Sequence, residues 1–494
     1  MKNNKFYLLL MCFTFLSADV YEGYLLYTPG GGGGSNTTRY EDWNGNLVHS
    51  WSHSSGPASM PYLLAGEDGG TENALLYYPS RSSNPTMDTG GVGGKVEIYT
   101  WYGEILYTYN ISSEYYQHHH DIAVLPNGNF IVIAWERLYA DEWQALGRTS
   151  VNNNLNQMWA LAFFEIEPTL DGRTESIENF DAVVWEWHIT DHLVQDIGPQ
   201  YDATYGVISD HPELMDVNCG NVGGNGGPGG QANGDWMHIN AIDYNADLDQ
   251  LVFSSRHQSE IYIIDHSTTT EEAASHSGGN SGMGGDFIYR WGGPGNYGRG
   301  DNSDDILHDQ HSVNWIPEGY PGAGNLILFN NYHSGNTAAV LEIETPVRDD
   351  GSYELLGLNP YGPDSWTWIY DESISSNMQG GAFRLPNGNT LITEAEHARI
   401  IEVTESGERV YEDELPGNQS MIPRASKYSP DFFDSSYTLG DLNDDGSIDI
   451  LDVVTCVNII LGAINPLPAA DMNQDDVVNV LDVILLINII LGVD

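Results

Sequence analysis

Short apolar stretches of branched and aromatic residues, broken every few positions by Asn, Asp, Gly or Pro, run along the chain up to residue 440. No long segment there shows the three-and-four spacing of an amphipathic helix, so strands and tight turns are predicted. The clearest unit is Asp235–Gln258, DWMHINAIDYNADLDQLVFSSRHQ. His238 enters it, a turn follows at Asn245–Asp249, and a strand over Leu251–Ser254 delivers Arg256 and His257. The same frame recurs: His120 stands seven residues before Asn127, His238 before Asn245, His311 before Glu318 and Gly380 before Asn387.

Repeats of this kind predict an all-β fold, a six-bladed β-propeller, in which equivalent positions of successive blades ring one channel. Inner hairpins near Tyr62, His120, His238, His311 and Gly380 supply five blades, and Arg399–Tyr428 is read as the sixth. Tyr40–Ser55 is expected to close the ring, and Met60 or Pro61 stands where other repeats have histidine. His120, His238 and His311, far apart in sequence, are thereby predicted to converge.

From Leu439 the pattern changes to two copies thirty residues apart, each a polar loop followed by an apolar run, Val453–Leu461 and Val483–Leu491. Asp441, Asn443, Asp445, Ser447, Asp449 and Asp452 fall at positions 1, 3, 5, 7, 9 and 12 of a calcium loop, with Gly446 at the sharp turn. Asp471, Asn473, Asp475, Val477, Asn479 and Asp482 repeat the series, with Asp476 in place of the glycine. The seventh position needs only a backbone carbonyl, so serine and valine serve equally. Each apolar run is too short to span a bilayer and fits a helix packed on its twin. The tail resembles a type I dockerin, which implies calcium-dependent folding and a cohesin-like protein partner.

Met1–Ala18 reads as a secretory signal: Lys2 and Lys5, an apolar Phe6–Leu16, then small residues. The expected organisation is a signal at 1–18, a propeller at 19–435 and a dockerin-like domain at 436–494, exported to a periplasmic or extracellular location. After cleavage only Cys219 and Cys456 remain, in different domains, which argues against a disulfide framework. With 70 acidic against 17 basic residues, a net charge of −53 excludes nucleic acid as partner. The apolar run Phe6–Leu16 is too short to span a bilayer, and no other segment is expected to cross a membrane.

The scarcity of basic residues draws attention to Arg256 beside a histidine-bearing channel. A guanidinium fork matches sulfate or phosphate oxygens, and a neutral imidazole can attack to give a covalent intermediate. No sequence for a nucleotide donor is evident. At HHDIAVLPNGN, VVWEWHITDHLVQD, DWMHINAI, SSRHQ and HDQHSVNW the chain resembles the bacterial arylsulfate sulfotransferases. The resemblance spans roughly residues 40–425. It implies ping-pong transfer of a sulfuryl group from an aromatic sulfate donor to a phenolic acceptor, without a nucleotide cofactor. It also implies His311 as nucleophile, with His120, His238 and Arg256 binding and polarising the group. Better-known members carry an added N-terminal β-sandwich linked to dimerisation, whereas here the propeller is expected to start about twenty residues after the signal.

Several residues are read as bystanders: His118 and His119 as loop residues, His257 as turned away from Arg256, His333 and His397 as structural. The Gly-rich stretch 216–233 is read as a surface loop, with a lid over the channel as the functional alternative. Two other functions fit the same residues. Three imidazoles could hold a metal for hydrolysis, or the propeller could bind ligands without turnover while displayed by its tail.

Overall fold

The computed structural model describes residues 19–30, 36–66, 69–226, 230–301, 303–415, 421–433, 439–443, 447–461, 467–473 and 477–491. The signal at 1–18 lies outside them, as do Asp445, Gly446, Asp475 and Asp476. Two compact units are formed: one by residues up to Tyr62, Tyr77–Ile98 and Ile105–Ser429, the other by Leu63–Leu76, Tyr99–Glu104 and those from Pro430 onward.

Six mainly antiparallel sheets make a six-bladed propeller; in blade 2 an added outermost strand, Arg173–Ser176, runs parallel to Ile105–Asn110. Blade 2 begins at Tyr62–Leu64, blade 3 at Tyr116–Val124, blade 4 at Ile239–Asn245, blade 5 at His311–Trp315 and blade 6 at Gly381–Arg384. In each of these the innermost strand comes first and the chain meanders outward. Blade 1 is built from both ends of the ring: Ala425–Tyr428 pairs with Tyr24–Tyr27, which pairs with Thr37–Glu41 and then Leu47–Ser52. The expectation that Arg399–Tyr428 forms a blade is therefore corrected. Arg399–Val403 and Arg409–Glu414 are the outer strands of blade 6, and the inner strand of blade 1 starts only at Ala425. The count of six stands because the closing strand completes blade 1.

The cores lie between neighbouring blades. On the second strand of blade 4, Leu251 and Phe253 pack with Phe163 and Trp187 of blade 3, while Val252 packs toward Leu326 and Leu328 of blade 5. Both faces of the strand are buried, so an unbroken apolar run sits where a one-sided sheet would show alternation. Each such side chain contributes about 1.5–3 kcal/mol by leaving water.

Ring closure is also held at the axis. Arg424, immediately before the closing strand, is 2 % exposed. It donates to Asp121 Oδ2 at 2.6 Å and to the Asn240 carbonyl at 2.6 Å. Tyr62 donates to the other oxygen of Asp121 at 2.6 Å. One guanidinium thus joins blade 1 to blades 3 and 4.

In the second unit, helices Ile450–Ile460 and Val480–Leu491 bury Val453, Cys456, Ile459 and Leu486 together with Leu442 and Ala470. Asp449 caps the first helix through Leu451 N–H at 2.7 Å. Asp452 and Asp482, at the twelfth loop position, are fully buried. Asp452 accepts from the Leu442 and Asp449 amides at 2.7 Å, and Asp482 from the Asn479 amide at 2.7 Å, so each carboxylate ties its loop shut. The two described cysteines are free thiols. No helix among the described residues is long and apolar enough to cross a membrane.

Removing Arg424 would strand the Asp121 carboxylate in the interior. Arg424→Ala is expected to lower the unfolding free energy by about 3–5 kcal/mol, the usual cost of orphaning a buried charge. A shifted denaturant midpoint, with Arg39→Ala on a partly exposed ion pair as control, measures it.

Candidate functional site

The innermost strands enter the channel through strained backbone. His120 and His238 have φ of 56° and 51°, and Gly380 at the same frame position has 102°. In blade 5 the left-handed residue is one later, Ser312 at 62°. A left-handed non-glycine residue costs of order 1–3 kcal/mol and persists only where surroundings over-determine it. Here the strain turns the imidazoles off the strand into the channel; glycine takes the position where no side chain is needed.

A cavity of about 890 Å³ receives His120, His238, Arg256 and His311 together. All four predicted site residues thus converge. The rings of His120 and His238 meet edge to face with centroids 4.8 Å apart. Gly90 and Gly91 of blade 2 also line the cavity. A Cβ on Gly91 would lie 1.8 Å from the His120 ring, so only glycine admits it.

Hydrogen bonds fix the tautomer of His311. Asn331 donates its amide protons to the Ser376 and Gln379 carbonyls at 2.8 and 2.9 Å, so its oxygen must face His311 Nδ1, 2.8 Å away. Nδ1 therefore carries the proton and Nε2 the lone pair, toward which the Gln379 amide points at 3.2 Å. His238 Nδ1 contacts Asp235 Oδ2 at 2.5 Å, and Trp135 Nε1 donates to the other oxygen at 2.9 Å. Arg256 Nη2 pairs with Asp309 at 2.5 Å, and the side chain lines the cavity.

Burial, then neighbouring positive groups, sets the charge state. It holds His311 and His120 well below the ordinary imidazole range, with Arg424 adding to the effect on both and Arg256 on His311. Asp235 is also buried, which opposes ionisation, but His238 beside it prevails and keeps the carboxyl low. Nucleophile-type imidazoles are thus neutral beside a fixed guanidinium.

Three readings change. His257 does not turn away: it lines the cavity, its ring centroid 4.8 Å from that of His238, because Arg256 and His257 sit in a turn where strand alternation no longer applies. His118 and His119 are not loop residues. Both are buried in Tyr116–Val124, where a register shift between His118 and Ile122 lets consecutive residues face inward. His119 stacks on Trp135 at 4.0 Å and its Nδ1 lies 3.0 Å from that of His120. Nor is stretch 216–233 merely surface: Gly223, Gly224 and Asn233 line the cavity. The residues missed from sequence are Asp235, Asn331, Gln379, Gly91 and Arg424. Arg424 precedes its blade's inner strand as His238 and Gly380 precede theirs, and the misplaced last blade hid that equivalence.

Among the described residues, Asp235, His238 and His257 bring ligand atoms within 4.8 Å of one another, whereas His120 and His311 belong to no such group.

Residues 82–344 match the arylsulfotransferase family and residues 439–491 the dockerin type I domain. No curated protein matches. Among solved structures, a protein of unknown function from Bacteroides caccae aligns at 9 % identity over 82 % of this chain and 98 % of its own, TM-score 0.41. The periplasmic gluconolactonase of Pseudomonas aeruginosa aligns at 10 % identity over 82 % and 99 %, TM-score 0.42.

His118, held at about 4, and His119, held well below 6.5, are both depressed by burial. Below pH 6.5 the unfolded chain binds protons that the fold refuses, so this stability is full above 6.5 and is lost as pH falls toward about 4. His119→Phe keeps the stacking on Trp135 and removes one such group. The fall in urea midpoint between neutral and acidic pH is expected to be shallower in this variant than in the wild type.

Proposed function

The chain belongs to the arylsulfotransferase family, and we propose that it moves a sulfuryl group from an aryl sulfate to a phenol through a sulfo-histidine at His311. The observation that carries this reading is the convergence of His120, His238, Arg256 and His311 on one cavity.

The donor's sulfate oxygens sit against Arg256 and His120. His311 Nε2 gives up the hydrogen bond from the Gln379 amide and attacks sulfur, the N–S bond forms, and the S–O bond to the aryl group breaks. His238, braced by Asp235, gives a proton to the departing phenolate. Asn331 holds Nδ1–H throughout, so the sulfo-imidazolium keeps its one ring N–H proton and its orientation. An acceptor phenol then loses its proton to His238, attacks sulfur and releases Nε2; no net proton is taken up. Donors fixed before the reaction stabilise charge on the equatorial oxygens without reorganising. The apolar wall of Pro57, Val92, Met378, Met421 and Pro423 fits an aromatic ring. Among the described residues no tyrosine or tryptophan lines the cavity.

The dockerin type I segment is a calcium-binding module, and its cohesin-type partner would place the enzyme outside the cytoplasm. Fit to calcium is supported by an all-oxygen donor set with Asp452 and Asp482 fully buried at the loop ends. Asp441, Asn443, Ser447, Asp449 and Asp452 would hold one ion, with Asp445. Asp471, Asn473, Val477, Asn479 and Asp482 would hold the other, with Asp475. Exposed Ile450, Leu451, Val454, Leu481 and Ile484 offer the partner an apolar face.

His311→Ala is expected to abolish phenol-dependent cleavage of a chromogenic aryl sulfate, by at least about three orders of magnitude, and to remove the sulfo adduct trapped by rapid quench. Full activity in this variant refutes the assignment. Arg256→Lys keeps the charge but loses the fork, and a loss of roughly 10²–10³ in kcat is expected. Because burial keeps His311 deprotonated, the acid limb of kcat/KM should lie well below pH 6.5. Chelating calcium should cost the helical signal of the tail while propeller activity persists, and Asp452→Ala should reproduce half of that loss.

A further inference from the structure

A second histidine cluster lies away from the channel, where the outer edges of blades 3 and 4 meet. His192 follows the short helical turn Ile189–Asp191 after the outer strand of blade 3. Asp286 stands immediately before Phe287–Trp291, the outer strand of blade 4, and His276 lies on the Gly/Ser-rich loop between helix Thr270–Ala273 and Asp286. The His192 side chain is fully buried, that of Asp286 is 6 % exposed, and that of His276 is 52 % exposed.

The hydrogen-bond roles do not close with a neutral His192 and an ionised Asp286. His192 Nε2 lies 2.8 Å from the Ala273 carbonyl. A carbonyl only accepts, so Nε2 carries the ring proton and Nδ1 of the neutral ring is a bare lone pair. That lone pair faces Asp286 Oδ1 at 2.7 Å, one acceptor against another. His276 Nδ1 reaches the same oxygen at 2.8 Å, and the three ligand atoms lie within 4.8 Å of one another.

The orientation of His192 is built in. Its ring lies flat on Trp187, 5.2 Å between centroids and 5° between planes, and Trp187 Nε1 donates to the Gly285 carbonyl at 2.8 Å. A Cβ on Gly285 would come within 2.1 Å of the Ala273 carbonyl and 2.7 Å of His192 Nε2, so glycine is needed for the close approach. An imidazole whose far nitrogen donates to a backbone carbonyl, leaving the near one aimed at a carboxylate, is the second-sphere arrangement of metal-binding histidines.

We propose that His192, His276 and Asp286 form a site for a zinc-like divalent cation. Two imidazoles and a carboxylate suit zinc, and exposure at His276 leaves a fourth position to water. Ligands about 2.0–2.2 Å from a tetrahedral ion stand roughly 3.3 Å apart, so the shared Asp286 Oδ1, 2.7 and 2.8 Å from the two ring nitrogens, draws back from both by about half an ångström on binding. The ion clamps the Gly/Ser loop to two neighbouring blades. The competing arrangement is a protonated His192 paired with Asp286, with no metal.

The test uses the full-length protein in saturating calcium, stripped of transition metals and titrated with zinc chloride against a chromogenic chelator. Wild type and His257→Ala, which removes the channel group, are expected to take up one equivalent and to gain thermal stability with zinc. His276→Ala, or His276→Gln should alanine disturb the loop, is expected to bind at least roughly tenfold more weakly and to lose that gain, with an unchanged circular-dichroism spectrum. No zinc uptake by the wild type, wild-type uptake by the His276 variants, or loss only in His257→Ala overturns the proposal.

Discussion

One guanidinium at the axis conditions the rest of the molecule. Arg424 is inaccessible to water, bonded to a carboxylate of blade 3 and a carbonyl of blade 4, and attached to the strand that completes blade 1. Its cost is the removal of two charges from water, which a buried pair recovers only with good geometry and satisfied neighbours. Tyr62 supplies the remaining bond to Asp121. Burial keeps His120 and His311 neutral, and this fixed positive charge adds a smaller push in the same direction. Closing the ring and preparing its chemistry are thus one electrostatic arrangement.

A chain with 17 basic residues uses several of them this way. Arg290 is fully buried against Glu260, Arg384 against Glu342, and Arg148 gathers the carbonyls of Val217, Cys219 and Gly220. Rarity of arginine therefore does not by itself mark a functional site. What separates Arg256 is exposure into the cavity and a partner, Asp309, that occupies only one of its terminal nitrogens.

The ring and four of its channel residues were legible because turn residues recur at a fixed distance after each channel position. Asn127, Asn245 and Asn387 mark hairpins whose geometry is local, and local geometry is what a pattern of residues encodes. The unread parts depend on long-range or irregular features. Asn331 and Asp235 matter through bonds made only after folding. His119 is inward because of a bulge, and His257 because the strand ends at Ser255, before the pair to which alternation was applied. The last blade was misdrawn because its inner strand is separated from its partners by nearly the whole chain, which no periodicity reveals.

That separation has a consequence for synthesis. Tyr24–Tyr27 emerges first and finds its neighbour Ala425–Tyr428 only after some four hundred residues have followed. Until then a short apolar strand presents an open edge, the kind of template on which stray chains assemble. Contacts so distant in sequence form late and slowly. The nascent ring must therefore spend most of its assembly as an incomplete arc, and whatever shields its leading edge in the cell governs the yield of active molecules as much as the strength of the finished ring.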